Sequence, residues 1–136
     1  MAYPFPSICK RVLENQGCES IKVWGSGQQM RDFIHVSDCV AGVLATMDKI
    51  DNGDALNLST GVFTSFIDFA TMAAKFLGYS PRVTGTNGFL EGVFARGGDT
   101  TKQNALGVSA KITFEMGIEM CLDYFTSRPR ESISGS

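Results

Sequence analysis

Arg31 follows closely on Gly25 and Gly27, and that pairing is the chain's clearest sign of chemistry. Glycines can take positive φ and let a ligand approach the backbone. A guanidinium beside them offers a planar, permanently charged fork for carboxylate or phosphate oxygens. Arg96 is a second such cation, in a glycine-rich stretch. Each arginine also has a plainer use: Arg31 in an internal ion pair with Asp32 or Asp38, Arg96 on a solvated loop. Trp24 can stack a ring or fill a core. His35 is the only histidine, lies in an alternating run, and reads as structural rather than as a base. Asp99 reads as a helix cap.

Metal and thiol chemistry find little support. Cys9, Cys18, Cys39 and Cys121 are too far apart in sequence for a zinc knuckle or a redox pair. They are expected to be reduced and mostly buried. No base–nucleophile pair or carboxylate pair stands out, so the chain is not expected to be an enzyme on its own.

The elements that must position these residues follow from pattern. Pro4 and Pro6 should keep the first residues extended, with Ser7 capping a helix to about Gln16 and Gly17 as its stop. A short strand is expected over 21–24. Within 25–38, Phe33, Ile34 and Val36 read as a strand, and Ser37 or Asp38 as the next cap. Val40, Val43, Leu44 and Met47 then recur on one helical face. Residues 55–59 read as a strand. Ser65 with Asp68 makes a capping box for a third helix with Phe66, Phe69, Ala70, Ala73 and Leu77 on one face, stopped by Gly78. Residues 81–84 fit a short strand and 85–98 a loop. Thr100 caps a short helix, answered by Gln103 and stopped by Gly107. Thr113 caps a last helix with Ile118, Cys121, Leu122 and Phe125 inward, and Gly117 there implies a close approach.

Length and composition set the frame. The chain has 136 residues, 43% of them hydrophobic, and a net charge of −2. That size fits one domain with a modest core. The charge argues against a nucleic-acid partner, and no apolar run is long enough to span a bilayer. The opening residues do not read as a signal peptide, so the cytoplasm is expected. Alternating strands and helices predict an α/β (α+β) unit, with a small mixed sheet and about four to five helices, over residues 1–127. Residues 128–136 read as a disordered polar tail.

The run VWGSGQQMRDFIHVSDCV at 23–40 resembles the motif V-[FW]-G-x-G-x-Q-x-R-D-F-[IT]-[HY]-V-x-D-x-[VA]. That motif marks the extended short-chain dehydrogenase/reductases, the NAD-dependent nucleotide-sugar epimerases and dehydratases. LNLSTG at 56–61, SFIDFA at 65–70 and ITFEMGI at 112–118 are similar to further segments in the same order. EGVFARGGD at 91–99 has the spacing of the GDP-mannose 3,5-epimerase branch. The resemblance covers nearly the whole chain and implies the C-terminal, substrate-binding portion of such an enzyme.

The resemblance implies site residues. Arg31 and Arg96 would contact a substrate diphosphate, and Trp24 with Val23 would line a nucleobase pocket, with Gln28 in the same motif. Departures bear on this. Phe94 stands where the GDP-sugar branch tends to place another arginine, Val108 where the family has Trp, Ala110 where it has Pro, and Ser59 where glycine is common. The glycine-rich dinucleotide loop and the Tyr-x-x-x-Lys catalytic pair are not found. Tyr3, Tyr79 and Tyr124 are followed four residues on by Ser7, Val83 and Arg128. No cofactor site is therefore expected. The function expected is that of a stand-alone remnant of the substrate-binding region, binding a nucleotide sugar without turnover. The alternative is an oligomeric interaction or structural protein without a small-molecule ligand. Expected partners are a nucleotide sugar, a second copy in a homodimer through the third helix and residues 55–59, and a separately encoded Rossmann-domain protein.

Overall fold

Two prolines open the first helix rather than delay it. In the computed structural model, which describes residues 3–86 and 92–127, α1 spans Pro4–Glu14 with Tyr3 at the N-cap. First-turn N–H groups have no helical partner in any case, so Pro4 and Pro6 lose nothing there. Ser7 is therefore inside the helix, not its cap. Then follow β1 (Ser20–Val23), β2 (Met30–Asp32), α2 (Val36–Thr46), β3 (Phe63–Ser65) and α3 (Phe66–Phe76). The order closes with β4 (Arg82–Gly85), β5 (Ala95–Arg96), α4 (Thr101–Ala105) and α5 (Phe114–Ser127). The mixed α/β class and the helix number match the sequence reading. The tail at 128–136, and Gly88 and Glu91 within the glycine-rich stretch, lie outside the described residues.

The strands make two small sheets. β1 and β4 pair in parallel, Ser20 beside Arg82 and Val23 beside Gly85. In the other sheet β2 is central, antiparallel to β3 and parallel to β5. β2 thus lies earlier than the strand expected at 33–36. Met30, Arg31 and Asp32 have neighbours on both sides, whereas Phe33 turns into the core and His35 already caps α2, its Nδ1 accepting the Ser37 N–H. Neither Ser37 nor Asp38 is the cap. The expected loop 85–98 in turn contains β5.

No strand forms at 55–59. Gln103 takes both backbone groups of Ser59: its Oε1 accepts the Ser59 N–H at 2.9 Å and its Nε2 donates to the Ser59 carbonyl at 2.7 Å. A side-chain amide therefore replaces a strand neighbour. Gln103 has no part in capping α4, where Asp99 accepts the Thr101 N–H instead.

The core is built where α1, α3 and α5 meet. Ile8, Cys9, Val12, Phe69, Ala73, Ala74 and Ile118 are wholly buried. Four rings from separate parts of the chain lock it: Phe5, Phe33, Phe69 and Phe114. Phe33 stacks on Phe114 at 5.3 Å, and Phe69 meets Phe5 at 4.8 Å and Phe114 at 4.9 Å. Each such pair adds about 0.5–1.5 kcal/mol beyond burial. The Ser65–Asp68 box caps α3 and Thr113 caps α5 as expected. Gly117 faces the Phe5 ring, not a backbone. Of the four cysteines only Cys9 is fully buried, and Cys18 is exposed.

α2 turns its apolar stripe outward. Its buried positions are Asp38, Gly42 and Thr46. Gly42 admits Leu58 so closely that a Cβ there would lie 2.7 Å from Leu58 Cδ2. The Asp38 carboxylate accepts the Lys111 and Ile112 N–H groups at 3.0 and 2.8 Å. The small and polar face is thus the packed one, and Val40, Val43, Leu44 and Met47 face outward. Among the described residues, no helix is long and apolar enough to cross a membrane.

Candidate functional site

β2 and β5 bring the two predicted arginines together. Arg31 and Arg96 are register partners across the parallel pair, with Thr64 opposite Arg31 on the other side. Residues at facing positions project to the same face of a sheet. Both arginines line a cleft of about 350 Å³ with Pro4, Asp32, Ile34 and Leu58. Gly97 and Gly98 line it as well.

Arg31 is held but not neutralised. Its Nη1 donates to the Met30 carbonyl at 2.7 Å and to the Phe94 carbonyl at 3.3 Å, and its guanidinium carbon lies 5.7 Å from the Phe66 ring centre. Among the described residues the ion pairs are Lys10–Glu14 and Lys102–Asp54, so neither arginine has a carboxylate partner. The two acids that could have quenched Arg31 are engaged elsewhere. Asp38 binds the 111–112 backbone. Asp32 accepts from the Ser59 and Thr60 hydroxyls and from the Thr60 and Gly61 N–H groups. Burial pushes the Asp32 carboxyl up, but those hydrogen bonds outweigh it and hold it below the ordinary carboxylate value.

Asp32 is the residue that sequence reasoning missed as a positioning group. It fastens β2 to the 59–61 turn, whose Ser59 lines the cleft. The signal available was its place directly after Arg31, and it was weighed only as an ion-pair partner.

The remaining predicted residues are not gathered there. Val23 is fully buried in the core. Trp24 packs against that core, and the Arg11 guanidinium covers its ring at 4.3 Å. Gln28 is exposed in the glycine turn, its N–H bonded to the Ser26 hydroxyl. A larger cavity of about 480 Å³ lies elsewhere, among Thr64, Gln103, Lys111, Thr113 and Glu115, and contains none of the five predicted residues.

The chemistry this allows is anion binding. Two adjacent cations in a half-open cleft suit a ligand carrying two negative charges in sequence, such as a diphosphate. The Gly25–Gly27 turn leads into β2, not into a helix N-terminus. At Gly27 the space a side chain would take is filled by Ile67 and Val23 of the protein itself.

The NAD dependent epimerase/dehydratase family model matches residues 4–59. GDP-L-fucose synthase of Escherichia coli (strain K12) is 28% identical over 135 residues, covering 91% of this chain and 42% of that protein. Putative GDP-L-fucose synthase 2 of Arabidopsis thaliana is 22% identical, covering 91% of this chain and 38% of that protein. Among solved structures, a GDP-6-OMe-4-keto-L-xylo-heptose reductase from C. jejuni superposes with a TM-score of 0.71 at 26% identity, over 88% of this chain and 38% of that one. A UDP-glucose 4-epimerase from Bifidobacterium longum, in complex with NAD+ and UDP, superposes with a TM-score of 0.75 at 25% identity, over 95% and 41%. The chain spans about 40% of the length of the curated relatives it matches. Over residues 4–59, which include Arg31 but not Arg96, the chain is similar to the NAD dependent epimerase/dehydratase family.

Proposed function

We propose that the cleft between β2 and β5 grips the diphosphate of a nucleotide sugar, and that the chain supplies substrate binding without the catalytic chemistry of its relatives. The observation that carries this reading is the pairing of Arg31 with Arg96, neither opposed by a carboxylate among the described residues. The relatives' names point to a GDP-sugar as the first ligand class to examine. Binding without turnover follows from the residue inventory, which has neither the Tyr-x-x-x-Lys pair nor a dinucleotide turn.

A ligand panel tests it. GDP- and UDP-sugars are titrated against the purified chain and its melting temperature is followed. A ligand that binds only the folded state stabilises it by mass action, about 2.7 kcal/mol at a hundredfold excess over Kd. The expected result is a saturable rise with a GDP-sugar that disappears in Arg31→Ala. No rise with any nucleotide sugar, or an equal rise in Arg31→Ala, overturns the reading. Epimerase or reductase activity from this chain alone overturns its non-catalytic part.

A further inference from the structure

Cys9 and Cys121 lie near opposite ends of the chain, and the fold brings them together. Helices α1 and α5 pack against each other in the core, and one contact fixes their register. Gly117 of α5 has no side chain, and a Cβ built there would lie 3.6 Å from the tip of the Phe5 ring of α1. One turn further along each helix, the residues on those same faces are Cys9 and Cys121. Two successive turns of α1 thus meet two successive turns of α5 in step. The two thiols interact directly, the Cys9 S–H donating to the Cys121 sulfur. Both are reduced, and neither lines the arginine cleft.

We propose that Cys9 and Cys121 form an oxidation site, in which a hydroperoxide oxidises Cys121 and Cys9 then closes a disulfide that ties α1 to α5. A disulfide needs two backbones that approach closely with their sulfurs facing. The helix register and the direct thiol contact supply both, so closure needs no unfolding. This inference is independent of the ligand reading.

The two thiols are unequal in the way such a site requires. Cys9 is wholly buried, whereas Cys121 is half-buried at the edge of the core. The hydrogen bond with Cys121, and then burial, push the Cys9 thiol up. Accepting that hydrogen bond lowers Cys121, against the opposing effect of its own partial burial. The thiolate is the nucleophile, so Cys121 reacts first, with Cys9 beside it as the resolving thiol. The Cys121 thiolate attacks one peroxide oxygen, the O–O bond breaks, and Cys121 becomes a sulfenic acid. The Cys9 sulfur then attacks the Cys121 sulfur. The S–S bond forms, the S–O bond breaks, and the Cys9 proton leaves with the hydroxyl as water. Two electrons pass from the thiol pair to the peroxide, whose other oxygen departs as water or an alcohol.

Peptide mapping of the native chain after treatment with hydrogen peroxide tests this, with the remaining thiols alkylated in denaturant. Cys121→Ser is the test variant and Cys18→Ser, at the exposed cysteine, is the control. The expected result is one linked peptide pair joining Cys9 to Cys121, lighter by two hydrogens and undone by dithiothreitol. The melting temperature should rise by about 5 °C or more on oxidation, because the bond closes a loop that spans most of the chain. Cys18→Ser should keep the link and the rise, and Cys121→Ser should lose both. If Cys121→Ser does not fold, the mapping of wild type decides alone. Free thiols at Cys9 and Cys121 in protein whose Cys18 is already oxidised overturn the proposal. So do pairing of either residue with Cys18 or Cys39, a link that forms only in denaturant, and a linked protein that melts no higher than the reduced one.

Discussion

Asp32 holds Thr60 twice, by its backbone N–H and by its hydroxyl, through one carboxylate oxygen. The other oxygen takes Ser59 and Gly61. One side chain thus welds the central strand of a three-stranded sheet to the turn whose Ser59 lines the arginine cleft. Asp32→Asn keeps the shape but replaces one acceptor oxygen with a donor. Hydrogen bonds to a charged group contribute about 1.5–3 kcal/mol, and a loss of that order is expected in denaturant unfolding. An unchanged midpoint would mean that the turn holds its place without the carboxylate.

The same group sets an acid limit. Its folded value lies below the ordinary carboxylate value of 3.8. A depressed carboxyl contributes stability that is complete above the unfolded value and is lost as pH falls through the folded one. Stability measured from pH 5 downward should therefore fall more steeply in wild type than in Asp32→Asn. Parallel acid limbs for the two proteins would remove Asp32 from the account.

Gln103 is 3% exposed and satisfies both backbone groups of Ser59. Gln103→Met keeps the length and apolar bulk and removes both bonds. Two buried backbone groups lose their partners, each costing about 1–3 kcal/mol. Hydrogen exchange should show the Ser59 amide losing protection before the α1–α3–α5 core does. Full protection at Ser59 in the variant would contradict this role.

Helices were the legible part of the fold, because their signals are local. Ser65 with Asp68, Thr113, and the stripes on α3 and α5 all act within a few residues. What was misread depended on distant partners. Residues 55–59 look like a strand, but Gln103, 44 positions away, occupies the place of a neighbouring strand at Ser59. The α2 stripe has helical period, yet periodicity says which residues share a face, not which face is packed. Asp38, Gly42 and Thr46 face inward because Leu58 and the backbone at 111–112 are there to receive them. At the site, the motif named Arg31 and Arg96 separately. Their adjacency needed β5, a two-residue strand inside a stretch that reads as loop.

That adjacency gives a coupling prediction. If both arginines hold one diphosphate, Arg31→Ala should weaken nucleotide-sugar binding by about 1.5–3 kcal/mol, the scale of charge-assisted hydrogen bonds. Arg96→Ala should cost less, since Arg96 is exposed and its charge is screened. The double variant should then lose less than the two single losses summed, because groups sharing one ligand are not independent. Strict additivity in calorimetric titrations would place the two arginines on separate ligands.

The last prediction concerns the glycine turn that leads into β2. Gly85 ends β4, beside Val23 of β1. A Cβ there would lie 2.3 Å from the Ser26 carbonyl oxygen and 2.4 Å from that of Gly25. Both atoms are backbone, so no side chain can swing aside to make room. Gly→Ala in a compatible conformation stabilises by about 0.4–1 kcal/mol through the unfolded chain. At Gly85 that gain is overwhelmed, because the turn itself must shift, and overpacking costs about 1–3 kcal/mol or more. Gly92 supplies the control, having no heavy atom within 4 Å of its built Cβ. Gly85→Ala should lower the melting temperature by several degrees, while Gly92→Ala leaves it level or slightly raised. The turn runs directly into Met30 and Arg31, so the same variant should weaken nucleotide-sugar binding even where enough folded protein remains to measure it. A Gly85→Ala protein as stable as Gly92→Ala would mean the turn has slack, and that Arg31 is positioned by β3 and β5 alone.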